Sequence, residues 1–280
     1  MNNLKTAVLL AAISGLLIAV GGVLMGTTGV VMFAGLAVVM NVGSFWFSAD
    51  LVLKMSKAQQ IERDQDPQLF AIVEHVARRA QMPMPRVFVI DSPQPNAFAT
   101  GRSPKHAAVA VTSGIRTLLS ERELRGVLGH ELAHVANRDI LTSSIAATIA
   151  SAISMIGWFG LFFGGGRRGG GMFGLLAVIV APIAAAVIQM AISRAREYQA
   201  DRDGARYVQD PEGLASALAK LEMGAQRTPV EVAQSTAHLY IVNPLRGGLG
   251  GGMAGLFSTH PPIEERVRRL REMRPDQFLG

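Results

Sequence analysis

The chain contains no cysteine among its 280 residues. This absence excludes a disulfide framework, a thiol nucleophile and a metal site with cysteine ligands, and it fits a reducing compartment. Aromatic residues are also scarce, at 6%. No stretch alternates them with Arg or Lys as a nucleic-acid stacking surface would. The net charge of +6 is therefore more typical of a membrane protein's cytoplasmic face than of nucleic-acid binding.

Charge is missing altogether from three long apolar stretches, residues 6–49, 140–166 and 169–193. A helix needs roughly 20 apolar residues to cross a bilayer. The first stretch therefore predicts two spans, 6–24 and 30–49, separated by a break near Gly26. The other two predict a helical hairpin in the membrane.

These stretches divide the chain into four parts. We expect two transmembrane helices in residues 1–49, soluble sections at 50–139 and 194–280, and the hydrophobic hairpin at 140–193. Both soluble sections then lie on one side of the membrane. Basic residues near the ends of the spans predict the cytoplasmic side. Two arginines at the hairpin tip oppose this, so the hairpin either crosses despite its charge or enters without fully spanning.

The first soluble section predicts an amphipathic helix over 67–81 and strands at 86–91, 96–100 and 107–112. The last strand is small and alternating, and it is either an exposed edge that pairs with an extended substrate or an interior strand. A further helix begins after Ser120, because Ser120 and Glu123 have the spacing of a capping box. Its expected buried stripe consists of Leu124, Val127, Leu128, Leu132 and Val135.

This helix carries the motif HExxH, formed by His130, Glu131 and His134. Residues four apart lie on one face of a helix, so the two imidazoles can bind one metal ion. Glu131 lies about a quarter turn away, where it can act as general base on a water molecule. The alternative is a pair of ordinary helix histidines.

A catalytic zinc site needs a third protein ligand and an open fourth position. The metzincin pattern is excluded because Asn137 and Ile140 stand where it requires Gly and His. His238, His260 and an acidic residue remain, and we favour Glu197. It follows the predicted hairpin as closely as His134 precedes it, so both reach the same membrane border.

Asp201 lies one turn beyond Glu197, on the same predicted helical face. There its carboxylate can accept a hydrogen bond from a ligand histidine and fix the tautomer of that histidine. The alternative for both acids is a solvated or salt-bridged helix face. Further along, the arginine-rich helix that begins at Ile263 is interpreted as a solvated or lipid-facing surface.

Three motifs in order resemble the HtpX family of bacterial membrane zinc metalloproteases, relatives of the CAAX prenyl endopeptidase. They are HELAH at 130–134, SRxxExxAD at 193–201 and THPPxxER at 259–266. The resemblance covers nearly the whole chain. It implies zinc at His130, His134 and Glu197, with Asp201 behind the ligands. It also implies substrate contacts from Asn96 and His260. The Asn96 amide and the His260 imidazole could stabilise the oxyanion that forms when water attacks the peptide carbonyl.

The expected fold is a membrane protein, mainly α with a small β-sheet, in which an α+β zincin-like peptidase domain is attached to four hydrophobic helices. The expected activity is zinc-dependent hydrolysis of peptide bonds in protein or peptide substrates. The resemblance implies quality control of misfolded or damaged membrane proteins under stress, at the cytoplasmic face of the bacterial inner membrane. Two alternatives are an inactive membrane scaffold or chaperone and a peptidase restricted to lipid-modified peptides.

Overall fold

The computed structural model describes residues 2–139, 194–227, 241 and 261–279. The chain divides into two compact units, and residues 2–48 belong to the first while the other described residues belong to the second. The helices and strands are, in chain order, α1 (Asn2–Met55), β1 (Gln59–Gln60), α2 (Pro67–Arg79), β2 (Arg86–Ile90), β3 (Ala97–Thr100), β4 (Ala108–Thr112), α3 (Ser113–Leu118), α4 (Glu121–Ala136), α5 (Arg194–Val208), α6 (Pro211–Arg227), α7 (Ile263–Arg271) and α8 (Pro275–Phe278).

Helix α1 is interrupted at Gly26, where φ is 63° and ψ is −143°. Glycine adopts this left-handed conformation without the steric penalty of a side chain, and the break falls where the sequence predicted one. The Asn41 amide donates a hydrogen bond of 2.8 Å to the Ser14 hydroxyl, which joins the two halves of α1.

Within the described residues, one helical segment, Met25–Gly43, is long and apolar enough to cross a membrane. The mainly helical fold with a small sheet is confirmed. The four membrane helices remain a prediction, because the expected hairpin at 140–193 lies outside the described residues.

The second unit contains a four-stranded sheet in the order β1-β2-β4-β3. β2 and β4 are parallel, whereas β1 and β3 run antiparallel to their neighbours. β4 is therefore an interior strand, and all five of its residues are buried. Of the two interpretations of this strand, the interior strand is confirmed and the exposed edge is wrong, because β2 pairs with β4 on one side and β3 on the other.

The two faces of the sheet pack differently, because side chains alternate along a strand. Val109 and Val111 of β4 point into the larger core, which also includes α2, α4 and α6. Ala108 and Ala110 join a smaller cluster with Leu53. Helices α2, α4 and α6 therefore lie on one side of the sheet, opposite Leu53.

Helix α4 begins as predicted. The Ser120 hydroxyl accepts a hydrogen bond from the Glu123 amide, and the Glu123 carboxylate accepts one from the Ser120 amide. The five apolar residues of the predicted stripe are all buried. This confirmed stripe fixes the rotation of α4 and thereby the direction in which its histidines point.

Helices α4 and α5 cross closely at a pair of glycines. A Cβ on Gly204 would lie 2.6 Å from the backbone nitrogen of His130, and one on Gly129 would lie 2.9 Å from the carbonyl oxygen of Gly204. Larger residues would force the helices apart. The glycines thus bring α5 directly against the part of α4 that carries HExxH.

Candidate metal centre

The two histidines of HExxH lie on one face of α4 with their rings nearly perpendicular, at 86°, and their centroids 4.7 Å apart. The Nε2 atoms of His130 and His134 are 3.2 Å apart. His130 is 2% exposed. The Nε2 atoms of both histidines therefore face the same position, where one metal ion could bind, as the helical spacing predicted.

Glu197 of α5 lies at the same point. One carboxylate oxygen is 3.4 Å from Nε2 of His134, and the other is 3.7 Å from Nε2 of His130. One ligand atom from each of these three residues lies within 4.8 Å of the others. The structure thus brings together the three residues that the sequence predicted as ligands.

Asp201 lies behind His130. Its carboxylate is 2.9 Å from Nδ1 of His130, so that nitrogen is turned away from the metal point. Arg266 of α7 holds the same carboxylate with two hydrogen bonds, of 2.9 and 2.7 Å. Nη2 of Arg266 also lies beside the imidazole, 3.4 Å from each ring nitrogen. The contacts with Asp201 are shorter than those with the imidazole, so Asp201 fixes the orientation of the guanidinium.

The interpretation of the arginine-rich helix as a solvated or lipid-facing surface is wrong for Arg266, which is completely buried. Its Nη1 atom lies 3.8 Å from Glu197. A signal in the sequence could have revealed this. Ile263, Arg266 and Leu270 follow the spacing of a buried helical face, and all three are buried.

Glu131 points from α4 toward strand β3. One of its carboxylate oxygens accepts a hydrogen bond of 3.1 Å from the backbone amide of Ala99. Glu131 is 9% exposed. The sheet therefore fixes the carboxylate predicted as general base, and it does so through backbone rather than through a side chain.

His134 has a carboxylate of its own, which sequence reasoning missed. Nδ1 of His134 lies 3.4 Å from Asp139, and Asp139 also pairs with Arg196 of α5 at 3.9 Å. Asp139 follows the end of α4, after Arg138 in the left-handed conformation with φ of 59°. This turn redirects the chain after the helix ends.

The charges around the cluster perturb the basicity of several groups. Burial alone would lower the pKa of His134, but hydrogen bonds to Asp139 and Glu197 raise it to about 10. Burial alone would raise the pKa of Asp201, but Arg266 and His130 lower it to about 2. The carboxylates beside His134 thus favour the protonated imidazole, and a metal ion bound at Nε2 would compete with that proton.

Asn96 and His260 have different outcomes. Asn96 is buried; its backbone amide donates to the Thr112 hydroxyl at 2.9 Å, and its side-chain oxygen lies 3.4 Å from the amide of Ile241. His260 lies outside the described residues, as does the alternative ligand His238. The substrate contacts assigned to Asn96 and His260 stay predictions.

The cluster suits a divalent metal ion. Among the described residues, four buried carboxylates surround it against two arginines, and two imidazoles with one carboxylate form a donor set with room for a fourth ligand. These groups are Glu131, Asp139, Glu197, Asp201, Arg196 and Arg266. A divalent cation would balance the excess negative charge. The fold and this donor set define a metallopeptidase.

Comparisons with known proteins agree. The sequence pattern of peptidase family M48 matches residues 63–274. A protease HtpX homolog of Methylibium petroleiphilum is 52% identical over 283 residues and covers 99% of both chains. One of Polynucleobacter necessarius is 54% identical over 279 residues, 97% of this chain and 96% of the relative. The chain belongs to peptidase family M48, together with the HtpX proteases, and it is a metalloprotease.

The crystal structure of S. mikatae Ste24p has a similar fold, with a TM-score of 0.52 and 19% sequence identity. The similarity covers 96% of this chain and 65% of that one. At this identity the likeness concerns the fold alone.

Proposed function

We propose that the protein is a membrane-embedded zinc endopeptidase in which His130, His134 and Glu197 hold the metal and Glu131 is the general base. The observation that carries the proposal is the convergence of three ligand atoms to within 4.8 Å of one another. Two imidazoles and one carboxylate are a donor set that catalytic zinc uses in peptidases. Asp201 orients His130 through the contact at Nδ1.

Zinc, when bound, supplies a Lewis acid that polarises the scissile carbonyl and makes water a better nucleophile at neutral pH. The remaining steps belong to the chain. Glu131 accepts the proton of the attacking water and delivers it to the leaving amine. Because Ala99 binds one oxygen of Glu131, the carboxylate is held in one orientation while its other oxygen transfers the proton.

Strand β3, which is the last strand of the sheet within the described residues, suits the binding of an extended peptide. The Thr112 amide donates to the Asn96 carbonyl, so in the antiparallel pair Asn96, Phe98 and Thr100 turn their backbone groups toward β4. Ala97 and Ala99 turn theirs away from β4, and there the Ala99 amide donates to Glu131. A substrate added as a strand along β3 would place its backbone beside Glu131. We propose Asn96 and His260 as further substrate contacts that stabilise the oxyanion.

We place the protein in the bacterial inner membrane as a multi-pass protein with its active site on the cytoplasmic side. The candidate span ends near exposed Trp46, a residue type that is enriched at the membrane–water interface. Lys54 and Lys57 follow, in agreement with the preference for basic residues on the cytoplasmic side. We propose the four-part organisation of the chain, with its hairpin at 140–193, on the sequence pattern.

We propose that the substrates are misfolded or damaged membrane proteins. A peptide can pair along β3 only if its backbone groups are free, and an unfolded segment meets this condition whereas a folded helix or strand does not. The protease would then select its substrates by their loss of folded structure more than by their side chains.

The test is proteolysis of an unfolded model protein by the full chain, purified in detergent with chelator and then supplied with zinc. We expect cleavage to start on zinc addition. Glu131→Gln should retain zinc but cleave about 10²- to 10⁴-fold more slowly, because it removes the base and no ligand.

A prenylated peptide serves as the comparison substrate. Cleavage of the prenylated peptide without cleavage of the unfolded protein would contradict the proposed substrate class. Unchanged cleavage by Glu131→Gln would contradict the assigned base, and zinc-independent cleavage would contradict the metal.

A further inference from the structure

The two histidines of the centre are arranged in the same way. Each turns Nε2 toward the other histidine and Glu197, and each turns Nδ1 toward a carboxylate. For His130 the carboxylate is Asp201, and for His134 it is Asp139. A carboxylate at Nδ1 holds the proton on that nitrogen, leaves Nε2 with its lone pair free and fixes the rotation of the ring.

Asp139 is placed for this purpose by the chain around it. It is buried, with 5% exposure, although it lies just beyond the end of α4. On a continuing helix a residue five positions after His134 would point to another face. The left-handed Arg138 ends the helix instead, and Asp139 returns to within 3.4 Å of the imidazole.

Arg196 connects this carboxylate to the helix of the third ligand. It pairs with Asp139 at 3.9 Å and stands next to Glu197 in α5. The same carboxylate thus lies between a ligand histidine of α4 and a cation of α5. Asp201 has the corresponding arrangement, between His130 and Arg266.

We propose that Asp139 is a positioning residue that holds His134 in the tautomer and orientation required for metal binding, with Arg196 fixing Asp139 in turn. This inference rests on the proposed role of His134 as a ligand. The centre then has two histidine–carboxylate–arginine chains, one for each imidazole, and both must be intact for full metal affinity.

The experiment measures zinc affinity of the full chain in detergent by competition with a chromogenic chelator. Asp139→Ala should raise the zinc dissociation constant about 10- to 100-fold, the range typical of groups that orient metal ligands. Asp139→Asn should raise it less, since the amide oxygen still accepts the Nδ1 hydrogen. Arg196→Gln should also have a smaller effect, because it leaves the carboxylate in place.

The matched control is Asp203→Ala. Asp203 also joins α5 to the end of α4, because its carboxylate accepts a hydrogen bond of 3.1 Å from the side-chain amide of Asn137. Within the described residues it contacts neither His130 nor His134. A general weakening of the α4–α5 junction would lower the thermal unfolding temperature of both variants. If Asp139 positions His134, the zinc dissociation constant should rise in the Asp139 variants and stay at the parental value in Asp203→Ala.

The outcomes separate this inference from the proposed function. If the parent protein and His134→Ala bind zinc equally, the ligand assignment fails. If His134→Ala loses zinc but Asp139→Ala and Asp139→Asn bind it as tightly as the parent, only the positioning role is wrong. Should Asp139→Ala not fold, Asp139→Asn and Arg196→Gln decide the question: parental zinc affinity in both overturns the proposal, and weakened affinity in both, with Asp203→Ala unaffected, supports it.

Discussion

Helix α4 buries charged groups at both ends, and the two ends differ in how the charge is balanced. Near its start, Glu123 accepts hydrogen bonds from Lys220 at 2.8 Å, from Ser216 at 2.6 Å and from Ser120 at 2.9 Å. Near its end, four carboxylates face two arginines and two histidines. The first network is satisfied by its own side chains, whereas in the second the carboxylates of the described residues outnumber the arginines.

The difference distinguishes a structural network from a binding site. Buried charges that are fully paired fix a fold, and breaking such a pair is costly because one charge remains unpaired. Buried groups with an excess of one sign invite an ion of the other sign. We therefore expect substitutions at the start of α4 to change stability alone, and substitutions near its end to change metal binding as well.

The largest stability effect is expected for Arg266→Leu. It would leave the buried Asp201 carboxylate without its cation, and breaking a buried ion pair on one side destabilises a protein by about 3–5 kcal/mol. The measurement is denaturant unfolding in detergent. In the double variant Asp201→Leu with Arg266→Leu, much of the stability should return, because neither charge is left unpaired. Zinc affinity should stay low, because His130 has lost the carboxylate at Nδ1.

Arg271 provides the control for this prediction. It lies on the same helix and pairs with Glu212 at 3.0 Å, but both side chains are about half exposed. Exposed pairs contribute roughly 0–1 kcal/mol. Equal destabilisation by Arg266→Leu and Arg271→Leu would show that burial of Arg266 has no energetic consequence.

The next prediction concerns Glu197→Ala, which removes the ligand supplied by α5. We expect zinc per protein, measured by elemental analysis, to fall far below the parent value. The unfolding temperature of the parent should rise with zinc, because an ion that binds only the folded state stabilises it. That rise should be absent from Glu197→Ala and present in Asp203→Ala. Unchanged zinc content in Glu197→Ala would indicate another third ligand.

The smallest effect is expected for Glu123→Gln, at about 1–3 kcal/mol of unfolding free energy, with zinc content unchanged. Burial alone would raise the pKa of Glu123, but Lys220, Ser216 and Ser120 lower it from 4.5 to about 2. A lowered folded-state pKa gives stability that is complete above pH 4.5 and is lost as pH falls toward about 2. Glu123→Gln should lack this loss of unfolding free energy at low pH. The same pH dependence of unfolding in the parent and the variant would contradict the prediction.

The sequence predicts α4 and the convergence of its histidines well, because the information is local. A capping box sets the start of the helix, the apolar stripe sets its rotation, and a spacing of four places both imidazoles on one face. The spacing of Glu197 and Asp201 is local in the same sense. Their arrival beside α4 was inferred from the predicted hairpin, and in the described residues it depends on the crossing of Gly129 and Gly204.

The missed features depend on contacts between distant parts of the chain. Strand order places β4 inside the sheet, and nothing within residues 107–112 decides between the two alternatives of an interior strand and an exposed edge. Arg266 was grouped with its exposed neighbours, although its spacing from Ile263 and Leu270 marks the buried face. Asp139 escaped notice because its approach to His134 requires the left-handed backbone of Arg138, which no residue preference foretells.

The dependence of Asp201 on Arg266 also concerns biosynthesis. The ribosome releases α4 first, then α5, and only later α7, which carries the arginine. Until α7 docks, Asp201 has no buried cation beside it and His130 is not fully restrained. The orientation of His130 by Asp201 is therefore completed only after the synthesis of the chain has passed α7.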